Sequence, residues 1–227
     1  MKDRDPIQGA VPGNVRLFNA LAPHYDEMVR QDEWDKKLYG LVGQVLEYKP
    51  AESIGSLVDL GSGPGTSINA AWKNGARPSR IVAVDFSSRM LRGLCLKHPD
   101  PPIETVHRSI EEFTANSVEG FDFVMAMSSL EFVKDLPRVV ENIARSAINS
   151  EGVGAFTFRQ KEEGGKDYRV TPSNLTKGSG KEFFWPRAVI ERGFTSQGLE
   201  IKESRVIEGY QGDTETVNYN FIIVTKP

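Results

Sequence analysis

Short apolar runs alternate with segments whose apolar residues recur every three or four positions, and this alternation fills the middle of the chain. Residues 57–60, 80–85, 103–106, 121–127 and 153–158 are β-branched or aromatic runs of strand length, each bounded by glycine, proline or polar residues. Between them, residues 66–74 continue as a helix that closes at Asn74-Gly75, and Ser87 caps a helix ended by Pro99, Pro101 and Pro102. A third helix follows Pro137, with Val139, Ile143 and Ala147 on one stripe and Val140, Ala144 and Ile148 on its neighbour. Strands that alternate with helices and are apolar on both faces form a parallel sheet covered on both sides. Ligands of such sheets bind at the carboxyl ends of the strands.

The two ends of the chain break this rhythm. Pro6, Gly9, Pro12 and Gly13 show no period and read as a tail or strap. A helix is then expected from Asn14 as N-cap, with Val15, Phe18 and Leu21 on one face, interrupted at Pro23. A second amphipathic helix carries Trp34, Leu38, Leu41, Val42 and Val45. Residues 159–184 follow neither period and hold Gly164-Gly165 and Thr171-Pro172, as expected of a long functional or disordered loop. A helix from Trp185-Pro186 to Gly193-Phe194 leads into 199–207 and 215–225, which read as a closing antiparallel pair joined by a turn at 209–213. The expected architecture is α/β: a Rossmann-like, mostly parallel sheet of seven strands with a C-terminal antiparallel hairpin, helices on both faces and an N-terminal helical lid. Residues 1–50 form the tail and lid, and 51–227 one compact unit with a lid loop at 159–184.

The candidate chemistry starts where the first strand ends. Asp59 is followed by Gly61, Gly63 and Gly65 in the run Asp59-Leu60-Gly61-Ser62-Gly63-Pro64-Gly65-Thr66. Glycines there permit a tight turn and a close approach of ligand to backbone. A dinucleotide fingerprint needs glycine or alanine where Thr66 stands, so the loop leans away from NAD. The second strand ends on Asp85, placed to accept hydrogen bonds from the two ribose hydroxyls of an adenosine.

These residues, with Val84-Asp85-Phe86-Ser87, Phe121-Asp122-Phe123-Val124, Ala22-Pro23-His24-Tyr25-Asp26 and Gly193-Phe194, resemble the class I S-adenosylmethionine-dependent methyltransferases, the small-molecule branch in particular. The resemblance implies S-adenosylmethionine as cofactor and S-adenosylhomocysteine as product. It also implies that Asp59, Gly61, Ser62, Gly63 and Gly65 hold the methionine end and that Asp85 binds the ribose. Phe86 and Ile110 would sandwich the adenine, Ser109 would meet its amino group, Met127 would touch the methionine end through its backbone, and Tyr25 would close over the cofactor.

Methyl transfer from a sulfonium asks the protein to align a nucleophile and, where needed, remove its proton. His24 beside the lid and Glu131 after the fourth strand are the candidates. His24 has the alternative of bonding only backbone, and Glu131 that of a surface or capping residue. The second acid and histidine that accompany such a glutamate in metal-dependent relatives are missing, so no metal is expected. Arg159, Phe184, Trp185 and Tyr210 are candidates for contact with the acceptor; pinning the variable segment to the core is the alternative.

Composition narrows the partners. The net charge of −3 and the lack of a basic run argue against a nucleic-acid backbone, and no stretch of about 20 apolar residues suits a membrane. The polar start at Met1-Lys2-Asp3 is unlike a signal peptide, and one cysteine, Cys95, cannot build disulfides; it sits at helical spacing with Leu91 and Leu94 as a buried packing thiol. A cytoplasmic monomer or homodimer acting on a small molecule is expected. Two other readings stay open: a protein of this fold that uses the bound cofactor for a non-methylating cyclisation or rearrangement, and a protein or RNA methyltransferase.

Overall fold

The structure is a computed structural model that describes residues 7–31, 33–100, 103–116, 119–162, 164–173, 178–211 and 216–227. Its centre is a seven-stranded sheet formed by β1 (Ser56–Leu60), β2 (Arg80–Asp85), β3 (Glu104–His107), β4 (Phe121–Ala126), β5 (Ile148–Arg159), β8 (Glu200–Gln211) and β9 (Thr216–Thr225), in the order β3-β2-β1-β4-β5-β9-β8. The first five strands in that order are parallel, whereas β9 runs antiparallel to both β5 and β8. From β1 the chain steps outward through α4 (Thr66–Lys73) to β2 and through α5 (Ser88–Lys97) to β3. It then crosses back through α6 (Ile110–Asn116) to β4 on the other side of β1. The strand order therefore reverses between β1 and β4, and the carboxyl ends of these two strands diverge there into a crevice.

Alternate residues of each strand feed two cores. Leu57, Ala83, Phe123 and Ala155 join Ile68 of α4, Leu94 of α5 and Leu38, Leu41, Val42 and Val45 of α3 (Trp34–Val45). Val58, Val84, Val124 and Phe156 join Ile110 of α6, Val139 and Val140 of α7 (Leu136–Asn142) and Ile190 and Phe194 of α8 (Arg187–Thr195). Phe156 and Phe194 stack at 4.9 Å between centroids, which seats α8 on the second face. No helix among the described residues is long and apolar enough to cross a membrane.

Five features depart from the sequence reading. Helix α1 spans Pro12–Leu21 with Val11 as its N-cap and Pro12 in its first turn. Asn14 is therefore inside the helix, and its side chain bonds another element. The residues after Pro23 form a further helix, α2 (Tyr25–Gln31), whose short length hid its period. Residues 159–184 hold an antiparallel hairpin, β6 (Tyr168–Ser173) and β7 (Gly178–Phe183). Its strands pair Arg169 opposite Glu182 and Tyr168 opposite Phe183, so charged and aromatic residues share the ribbon without the apolar alternation that marks a strand with one buried face. Cys95 is exposed: Leu91 and Leu94 take the buried stripe of α5, and Cys95 lies beyond its edge. The first closing strand runs further than expected, to Gln211, the second spans Thr216–Thr225 close to expectation, and residues 212–215 between them fall outside the described residues.

Candidate functional site

The glycine turn after β1 is shaped by backbone rather than by side chains. Gly61, Gly63 and Gly65 all have positive φ (76°, 52° and 92°), a region open to glycine at low cost. The N–H groups of Gly61 and Ser62 both donate to the Val84 carbonyl, at 2.7 and 2.9 Å, folding the turn over the end of β2. The glycines are needed for different reasons. A Cβ on Gly61 would overlap the Cβ of Ser129, whose hydroxyl donates to the Leu60 carbonyl at 2.6 Å, and one on Gly65 would overlap Leu94 of the core. A Cβ on Gly63 would meet only the ring edge of Tyr25, 4.0 Å away. Gly61→Ala is thus expected to cost about 2–3 kcal/mol in chemical denaturation, from strained φ plus overpacking. Gly63→Ala is expected to cost about 1 kcal/mol, its main effect falling on whatever lies against the turn.

Two buried carboxyls flank this turn. Asp85, 7% exposed, accepts from the Gly63 N–H at 2.8 Å and the Ser87 N–H at 2.7 Å. Burial pushes its pKa up to about 6 against the pull of those two donors and of His107. His107 faces Asp85 across the β2–β3 pairing and places Nε2 3.1 Å from the Phe86 carbonyl. Asp59 is 1% exposed, and neither of its carboxyl oxygens has a hydrogen-bond partner among the described residues. Burial first, and the charge of Asp85 second, raise its pKa to about 8. A buried carboxyl with no donor costs free energy until a cation or donor meets it.

Helix α1 covers the turn. Phe18 packs edge-on against Phe86 (5.6 Å) and Phe132 (4.9 Å) and lies 6.4 Å from the Tyr25 ring. Asn19 Oδ1 accepts from the Ser87 hydroxyl at 2.8 Å, next to the peptide that holds Asp85. At the other end of the helix Asn14, 1% exposed, donates to the Lys181 carbonyl (2.9 Å) and accepts from the Lys181 N–H (2.6 Å) on β7. Ser109, expected at an adenine edge, donates to the Gln8 carbonyl at 2.6 Å and accepts the Glu112 N–H at 3.0 Å, so it ties the N-terminal strap to the start of α6. Ile110 lies against the Gly61 turn, with its Cδ1 3.5 Å from where a Gly61 Cβ would stand; Met127 is buried at the end of β4.

A second polar group lies beyond the end of β4, in a chain turn that is itself strained. Ser128 has a φ of 58°, held by the bond from its N–H to Thr157 Oγ1 at 2.6 Å. The following 3-10 turn, Leu130–Phe132, carries Glu131, 3% exposed. Its Oε1 accepts from the Tyr219 hydroxyl at 3.2 Å, and its Oε2 has no partner among the described residues. Burial foremost, helped by the charge of Glu182, raises its pKa to about 8 against the pull of Tyr219 and Arg159. Arg159, 8% exposed at the end of β5, sets its guanidinium over the rings of Phe184 (5.6 Å) and Tyr219 (5.9 Å), and Trp34 packs on Tyr219 at 5.4 Å. Arg159 and Phe184 also line a cleft of about 820 Å³ shared with Tyr168 and Arg169 of the hairpin.

The structure thus brings Asp59, the glycine turn, Asp85, Phe86 and Tyr25 to one crevice, and Glu131, Arg159 and Phe184 to its flank. His24 is exposed in the turn between α1 and α2. Trp185 packs against the second core, and the Tyr210 side chain lies outside the described residues. Phe18, Asn14, Asn19, Phe132, Thr157 and Tyr219 are additions that sequence reasoning missed. Tyr219 was hidden by its place in an alternating strand, where it reads as core. The asparagines had a usable signal, since both are polar residues within an otherwise apolar-periodic helix.

Residues 58–153 match the family model for a methyltransferase domain. No curated protein sequence matches the chain. Among solved structures, an S-adenosylmethionine-dependent methyltransferase from Clostridium acetobutylicum superposes with a TM-score of 0.67 at 15% identity, over 92% of this chain and 99% of that one. DhpI in complex with S-adenosylhomocysteine gives 0.68 at 19% identity over 98% and 100%. Magnesium protoporphyrin IX methyltransferase from Synechocystis, with bound S-adenosylmethionine, gives 0.65 at 11% identity over 97% and 100%. At such identities the likeness is one of fold. The crevice fits the cofactor chemically: an α-ammonium, a sulfonium and two ribose hydroxyls would supply the cation and donors that two buried carboxyls, one of them without a hydrogen-bond partner among the described residues, require. Residues 58–153 accordingly match a methyltransferase domain, and the chain as a whole shares the fold of S-adenosylmethionine-dependent methyltransferases.

Proposed function

We propose that the chain methylates an O, N or C atom of a small, partly apolar or aromatic metabolite in the cytoplasm. The observation that carries this reading is the roof: α1 is fastened to α5 through Asn19 and to β7 through Asn14, closing both halves of the crevice under a ring cluster. A roofed crevice of this kind suits a compact acceptor better than a folded macromolecule. The Synechocystis neighbour, a methyltransferase of a porphyrin, is consistent with that class. In this reading Asp85 takes the ribose hydroxyls, Asp59 the ammonium, and the turn from Gly61 through Ser62 and Gly63 to Gly65 lies along the methionine end. Met127, Phe86, Ile110 and Tyr25 enclose the remainder, and Ser109 acts through the strap it holds.

The cofactor supplies a methyl carbon already activated by the sulfonium charge. The protein's share is alignment, exclusion of water by Phe18, Tyr25 and Phe132, and custody of one proton. Glu131 is the group placed for that proton: it is buried, beside the acceptor cleft, and has one oxygen without a partner among the described residues. Acting as a base it must first ionise, so kcat/KM is expected to rise about tenfold per pH unit up to about pH 8 and then level. Glu131→Gln is expected to lower kcat by about 100-fold and to flatten that profile. A pH–rate series on both proteins checks this, and an unchanged profile in the variant removes Glu131 from the chemistry. The same high pKa favours a second reading, a non-methylating reaction around bound cofactor, since at neutral pH Glu131 mostly keeps its proton. Conversion of an acceptor with S-adenosylmethionine recovered intact would establish that alternative; stoichiometric S-adenosylhomocysteine would dismiss it.

A further inference from the structure

The cleft between the end of β5 and the β6–β7 hairpin has a chemical preference that the methyltransferase reading leaves unstated. Its inner side is formed by Arg159, a permanently charged group at 8% exposure, with aromatic rings against its guanidinium. Arg169 of β6 lines the same cleft and pairs with Glu182 of β7 at 2.8 Å. Tyr168 and Phe184 supply flat apolar surface, and Lys181 sets its ammonium over the Tyr168 ring at 4.9 Å.

Among the described residues, two guanidinium groups, Arg159 and Arg169, face two carboxyls, Glu131 and Glu182, and Lys181 adds an ammonium. Burial raises the Glu131 pKa to about 8, so at neutral pH its carboxyl offsets little of that positive charge. Of the charged residues on the outer lining, Lys166, Glu162 and Asp167 are all exposed, and Asp167 is paired with Lys161 at 2.5 Å, so solvent screens them. A planar guanidinium held between rings in a region of low dielectric selects an anion that can accept two parallel hydrogen bonds.

We infer that this cleft receives an anionic group of the acceptor, a carboxylate or a phosphate, on Arg159 and Arg169, with an aromatic or apolar body lying against Phe184 and Tyr168. The inference rests on the reading of the chain as a small-molecule methyltransferase and names the substrate class. Anion binding on this wall would orient the remainder of the acceptor towards Glu131, which Arg159 approaches through the shared Tyr219 ring.

The test is calorimetric titration of the full chain, saturated with S-adenosylhomocysteine, with benzoate, phenyl phosphate and the neutral benzyl alcohol. Benzoate or phenyl phosphate is expected to bind at least tenfold more tightly than benzyl alcohol, and whichever binds better identifies the anion. Arg159→Gln should abolish that preference, with S-adenosylhomocysteine affinity unchanged within twofold. Should Arg159→Gln fail to fold, Arg169→Gln should reduce the preference at least threefold. Equal affinity for the charged and neutral probes, no binding of any probe, or an anion preference that survives both substitutions overturns the inference. S-adenosylhomocysteine titrated alone reports separately on the underlying reading: if it does not bind, the methyltransferase assignment itself fails, whereas binding with no anion preference removes only the substrate class.

Discussion

Asp85→Ala is expected to weaken binding of both S-adenosylmethionine and S-adenosylhomocysteine by at least about 100-fold, while the protein stays folded. Two effects combine. The variant removes the acceptor proposed for the ribose hydroxyls, and it releases the Gly63 and Ser87 N–H groups that Asp85 now holds at 2.8 and 2.7 Å. Charge-assisted hydrogen bonds are worth about 1.5–3 kcal/mol each, and losing two corresponds to that fall in affinity. Both ligands should suffer alike, because the methyl group lies far from the ribose in the cofactor's own covalent structure. Calorimetric titration of wild type and variant decides the matter. Full affinity in the variant would move the nucleoside away from β2 and leave the glycine turn as a purely structural device.

Asp59→Asn is expected to change the pH dependence of stability in the opposite direction from an ordinary carboxylate deletion. Asp59 has a folded-state pKa of about 8, well above its usual 3.8, so the fold prefers the protonated form. Its contribution is fully present below about pH 4 and is lost as the pH climbs towards 8, since the unfolded chain ionises first. Over that interval the loss is on the order of a few kcal/mol. The ligand-free wild type should therefore melt at progressively lower temperature from pH 5 to pH 8. The asparagine variant should decline less steeply, with the remaining slope set by Asp85 and Glu131. Cofactor binding should show the complement: ionising Asp59 against the ammonium releases a proton, so wild-type affinity rises with pH to about 8 and the binding enthalpy varies with the buffer. Parallel melting curves for the two proteins would show that Asp59 does not titrate in this range, and unchanged cofactor affinity in the asparagine variant would exclude it as the cation partner.

The legible part of the molecule was the part whose physics is local. Leu57, Val58 and Leu60 are apolar because the strand is buried on both faces, and a glycine turn followed by Asp85 twenty residues later follows from the βαβ geometry itself. The hairpin at 168–183 was illegible because its pairing is decided by Arg169 against Glu182 and by Asn14 reaching across from α1, contacts 13 and 167 positions apart that leave no period. Cys95 was misplaced because helical spacing gives a stripe without its width, and Leu91 and Leu94 already fill it. Glu131 could be named from its position after β4, but its environment could not, since Tyr219, Arg159 and Glu182 come from three later segments.

Helix α1 has only ten residues, yet it is pinned to the start of α5 by Asn19 and to the hairpin by Asn14. A rigid rod held at both ends cannot be lifted from one without loosening the other. On the proposed reading, departure of spent cofactor and departure of methylated product would be two consequences of a single opening event, and the rate of that event would set a ceiling on turnover.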